Sequence, residues 1–75
     1  MLPQIKEYTD IANKLINQTV YGRNGARDQI KLITHQVDAW NLLIDLGCVK
    51  HVDQLEELIT ELQIAADLLK RTYRL

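Results

Sequence analysis

Serine and phenylalanine are missing altogether from these 75 residues, and cysteine, proline, tryptophan and methionine occur once each. Without serine there is no serine nucleophile, so serine hydrolases of any triad order are excluded. With Cys48 alone, no intrachain disulfide can close and no four-thiolate zinc site can assemble, a usage that favours a reducing compartment. Glycine-rich phosphate loops are absent, and so is any credible cysteine–histidine dyad. No run approaches the 18 apolar residues of a membrane helix. The start, Met1-Leu2-Pro3-Gln4-Ile5-Lys6-Glu7, lacks the basic opening and apolar core of a signal peptide. The expectation is a cytoplasmic protein with no membrane segment.

Charge of one sign is scarce as well. Nine basic against ten acidic side chains leave a net charge of −1, which removes any global electrostatic argument for nucleic acid. The distribution says more than the sum. Residues 21–36 hold Arg23, Arg27 and Lys31 against Asp28, whereas residues 37–67 hold Lys50 against Asp38, Asp45, Asp53, Glu56, Glu57, Glu61 and Asp67. Lys70, Arg71 and Arg74 follow, so the chain is electrically polarised along its sequence.

What is present is helical. Hydrophobic residues at 47% and charged residues at 25% belong to a folding chain, not a disordered one. Its length allows one domain, residues 1–75, burying only about 60% of its unfolded surface, for which association with a copy or a partner is a common remedy. Ile5, Tyr8, Ile11, Ala12, Leu15, Ile16 and Val20 recur at three and four and predict a first helix over about 3–20, with Pro3 in its first turn. Lys6, Asp10 and Lys14 mark its solvated side. The breaker cluster Tyr21-Gly22-Arg23-Asn24-Gly25 follows, and the second helix is expected after it, over about 26–46.

That second helix carries two stripes: Ile30, Ile33, Val37, Trp40 and Ile44, and beside them Leu32, Ala39, Leu43 and Leu46. A helix apolar around more than half its circumference needs two neighbours, which places it in the middle of the bundle. Gly47 is expected as its left-handed C-cap. Asp53 as N-cap, with Glu56 three residues on, opens a third helix over about 53–74 on Leu55, Leu58, Ile59, Leu62, Ala65, Ala66, Leu69 and Tyr73. Its acids near the start and its bases near the end suit the helix dipole. Short links make neighbours antiparallel. The fold class expected is all-α, a small antiparallel three-helix bundle that self-associates.

Four constellations bear on chemistry. Arg23, Arg27, Lys31 and His35 lie four apart and stack on one face if the second helix reaches back to residue 23, a row able to grip phosphates and equally able to be a plain solvated face. His35 and Asp38, with His51 and Cys48 further on, have the residue types of a metal site but no zinc spacing, so no metal is expected. Glu57, Glu61 and Asp67 resemble the magnesium-holding carboxylates of helical nucleotide pyrophosphohydrolases of the MazG type. That chemistry takes an acidic pair from a facing helix, where this chain offers only scattered Asp28, Asp38 and Asp45. Trp40 is either the centre of the core or the anchor of an interface.

The resulting expectation is a non-enzymatic protein–protein interaction module, a small binder, inhibitor or assembly factor. It would work as a homo-oligomer or on a larger protein target, through Trp40, Leu43, Leu46, Leu62, Leu69 and Tyr73. The alternative is a small anion-, nucleotide- or nucleic-acid-binding protein using Arg23, Arg27, Lys31 and His35. Neither reading invokes a cofactor.

Overall fold

The three apolar blocks resolve into three helices in the computed structural model of the protein, which describes residues 3–75: α1 (Pro3–Asn17), α2 (Gly22–Asp45) and α3 (Val52–Tyr73), with no strand among the described residues. The buried positions of α1, Ile5, Tyr8 and Ala12, fall at intervals of three and four, one face of a helix. This helix stops at Asn17 and does not extend to residue 20. Asn17, Thr19 and Val20 are weaker helix formers than the residues before them. The carbonyl of Leu15, left without an intrahelical donor by that ending, accepts a hydrogen bond from Nε2 of Gln29 on α2. Gln29 is a buried polar residue of the core, 4% exposed, and this bond is what makes its burial tolerable.

Helix α2 starts at Gly22, four residues ahead of the sequence expectation. The reason is that one residue makes the whole corner. Tyr21 is extended, and Gly22 has φ +71, a left-handed backbone that only glycine adopts cheaply. Gly25 therefore lies inside the first turns of the helix, not in a linker. At the other end Gly47, with φ +72, donates its N–H to the Ile44 carbonyl and Cys48 donates to Leu43, both at 3.0 Å. This pair of bonds is the Schellman arrangement, and it gives Gly47 the capping role expected from the sequence.

Helix α3 begins at Val52 after His51, which makes no side-chain cap, so the expected Asp53–Glu56 capping box does not form. Val49 is buried and Val52 half-buried. Pulling both valines inward starts the helix one residue before the aspartate, and Asp53 serves instead as a negative charge in the first turn, where the dipole favours it.

The core joins Ile5, Tyr8 and Ala12 to Ile33, Val37 and Trp40, and to Leu55, Leu58, Ile59, Leu62 and Ala66, with Val49 closing one end. The middle helix is α3, not α2 as the double stripe suggested. It packs along both other helices, whereas α1 and α2 meet closely at few points. Its buried residues at 55, 58, 59, 62 and 66 cover a broad enough arc to serve two neighbours. The second stripe of α2 is consequently left at the surface. The molecule is long and flat, 37 × 22 × 14 Å between Cα extremes, its length matching the roughly 36 Å of a 24-residue helix.

Candidate functional site

Because α1 and α2 hardly touch, a cleft opens between them. Ile11, Lys14 and Leu15 of α1, with Gln18 just beyond it, face Leu32, His35, Gln36 and Ala39 of α2. Elsewhere the two helices are tied by the edge-to-face pair of Tyr8 and Trp40. From this cleft the exposed apolar surface continues along the outside of α2. Leu32 is 51% exposed, Leu42 57% and Leu46 66%. With His35 and Ala39, also exposed, these residues fall at 32, 35, 39, 42 and 46. Spacing of three and four sustained over two heptads is the pattern of a helix–helix seam, and among the described residues no helix fills it.

The six interface residues expected from the sequence divide. Trp40 and Leu62 are 2% and 0% exposed, so both belong to the core and neither reaches an outer surface. Trp40 is drawn in by Tyr8, and Leu62 by the central position of α3. Leu43 and Leu69 are partly buried against that core, and Tyr73 is half-exposed. Leu46 alone of the six stands free. Leu42 and Leu32, outside the expected set, are more than half exposed, and Ile11 is 38% exposed. Only the heptad count from Leu32 to Leu46 could have singled out Leu42 beforehand.

The basic row is also redistributed. The early start of α2 places Arg23, Arg27, Lys31 and His35 on one helix, all exposed. Steps of four residues overshoot a turn by about 40°, however, so the row winds through about 120° and does not form one patch. Nη2 of Arg23 donates to the Arg74 carbonyl at 3.3 Å, at the end of α3. Nη1 of Arg27 donates to Oδ1 of Asn24 at 3.4 Å. Lys31 stands free on the surface, and His35 lies in the α1–α2 cleft across from Lys14. What sequence spacing did not disclose is that Arg23 and Arg27 share an end of the bundle with Lys70, Arg71 and Arg74. Asp45, Asp53, Glu56 and Glu57 collect at the other end.

The acidic residues do not assemble a metal centre. Asp53, Glu56, Glu57 and Glu61 line a shallow outer face of α3, all from the one helix, while Asp67 lies in the α2–α3 groove with Asp38 and Lys70. The two-helix carboxylate set of a pyrophosphohydrolase is therefore not built. Among the described residues no three His, Cys, Asp or Glu side chains converge to hold a metal ion. Cys48 is exposed, with only a long 3.9 Å contact to the Leu46 carbonyl. Among the described residues no helix is long and apolar enough to cross a membrane. Compared with protein-family models, with curated proteins and with solved structures, the chain matches none.

Proposed function

We propose that this chain is a non-enzymatic protein–protein interaction module that works as a homo-oligomer, docking through the α1–α2 cleft and the outer stripe of α2. The observation that carries the reading is the seam of Leu32, Leu42 and Leu46, more than half exposed and continuous with Ile11 across the cleft. Large apolar side chains scattered singly are ordinary on a surface, but a row in coiled-coil spacing is a surface shaped for another helix. An antiparallel bundle fits the contacts at hand: Arg23 meets Arg74, Tyr8 meets Trp40, and Gln29 meets Leu15, each pair running in opposite order along its two helices. An exposed lone thiol at Cys48 suits a reducing cytoplasm.

Light scattering from about 1 to about 200 μM tests the reading, since the mass of a self-associating chain rises with concentration. The expected result is a dimer mass that a Leu42→Glu, Leu46→Glu variant loses while keeping its helical circular dichroism. A wild-type mass that stays at 8.7 kDa throughout overturns it.

A second reading has one observation of its own. Contact of Arg23 with the carbonyl of Arg74 brings the cations of two helices to one end of the molecule, where a phosphate-bearing ligand could be held. Binding of a polyphosphate that steepens at low salt and disappears in an Arg27→Ala, Arg71→Ala variant is its test.

A further inference from the structure

In the exposed seam of α2 the centre and the outer pair read the same in both directions, while the inner pair sets His35 opposite Leu42. Leu32 and Leu46 lie seven residues to either side of Ala39, about 10.5 Å each way along the helix. The smallest side chain is thus at the centre and large leucines flank it symmetrically. Laid against a reversed copy of itself, such a helix sets Ala39 beside Ala39, where the backbones come closest, and each Leu32 beside the other copy's Leu46. Lys31 and Asp45, each one residue before its leucine, stand on the same flank of the stripe and face each other in that register.

Charge argues for the reversed copy over a parallel one. Parallel alignment stacks Arg23, Arg27, Lys70, Arg71 and Arg74 of both molecules at one end and Asp45, Asp53, Glu56 and Glu57 of both at the other. Reversal sets each basic end against an acidic one, the complementarity that steers and fixes register at interfaces.

Resting on the self-association proposed above, we infer that the occupant of this face is a second copy of the chain, its α2 antiparallel to the first and crossing it at Ala39. The two-fold axis passes between the two copies of that alanine, the leucines at 32 and 46 seal both sides, and Lys31 pairs with Asp45 of the second copy at two symmetric positions.

Cysteine cross-linking in a Cys48→Ser background tests the register, since a disulfide closes only where Cα atoms approach within about 4.4–6.8 Å. Ala39→Cys should give a covalent dimer under mild oxidation. Leu32→Cys should cross-link poorly with itself and well when mixed with Leu46→Cys. All these positions are exposed, and an unchanged melting curve checks that each variant folds. Efficient self-cross-linking of Leu32→Cys means parallel helices and overturns the inference while the self-association reading survives. So does a dimer by light scattering that Ala39→Cys does not cross-link. A chain monomeric at every concentration, its cleft then left to a protein of different sequence, overturns both.

Discussion

The rings of Tyr8 and Trp40 meet edge to face, their centroids 5.5 Å apart and their planes at 62°, and this pair links α1 directly to α2. Edge-to-face aromatic contacts add about 0.5–1.5 kcal/mol beyond the area they bury. Trp40 is 2% exposed, so truncation to alanine should cost about 3–5 kcal/mol. A chain of this size has a total stability of only about 4–11 kcal/mol. Trp40→Ala should therefore melt at or near room temperature, whereas Tyr8→Leu, which keeps apolar bulk, should lose only about 1 kcal/mol. Circular dichroism melts of the two variants check the ordering. A Trp40→Ala protein as stable as the wild type removes Trp40 from the core.

Gln29 makes a second prediction with a different sign pattern. Its Nε2 satisfies the Leu15 carbonyl at the end of α1 from a nearly buried position. Gln29→Leu leaves that carbonyl without its donor and should destabilise by about 1–3 kcal/mol in spite of the added apolar surface. Gln29→Glu should cost more, because a carboxylate there has no donor to offer and places its charge beside a carbonyl oxygen. Urea titrations with unchanged slope would report both losses cleanly.

The glycines separate by backbone geometry, which the sequence alone does not show. A Cβ on Gly25 meets only ordinary contact with Val20, 3.7 Å from its Cγ1, and Gly25 has helical neighbours on both sides. Gly25→Ala should stabilise by about 0.5–1 kcal/mol. Gly22 and Gly47 have open space around them but φ of +71 and +72, so the same substitution should destabilise by about 1 kcal/mol at each. Equal effects at all three positions would mean that the corner and the cap are not built as described.

The helices themselves were legible because burial imposes a period. Ile33, Val37 and Trp40 fall where α2 turns inward, and Leu55, Leu58, Ile59 and Leu62 do the same on α3. Which helix takes the centre was not legible. Both α2 and α3 carry apolar residues over a broad arc, and only the mutual arrangement of all three shows that α3 meets two neighbours while α2 exposes Leu32, Leu42 and Leu46. Trp40 stayed open between core and interface for the same reason, since a large aromatic looks alike in both until its surroundings are known. The basic row spreads around the helix because four-residue spacing is close to a helical turn but accumulates an offset, and Arg23 ends beside Arg74 while His35 ends in the α1–α2 cleft.

The antiparallel dimer proposed above implies one like-charge contact. Asp38 lies on the same flank of the α2 seam as Lys31 and Asp45, seven residues from each, so at the two-fold axis of that dimer it would face its own copy. Two symmetric Lys31–Asp45 attractions are then partly offset by one central repulsion. Asp38→Asn, which keeps the shape of the side chain in its groove beside Lys70, should tighten the dimer about threefold at low salt, within the range of surface pairs. Lys31→Glu should weaken it about tenfold, and adding Asp45→Lys to that variant should restore most of the loss, because the swapped pair has the same attraction in reverse. All three effects should shrink at about 1 M salt, where the screening length falls to about 3 Å. Sedimentation equilibrium measures each change. A double variant no tighter than Lys31→Glu alone would leave the leucines at 32 and 46 in contact without the charge register that orients them.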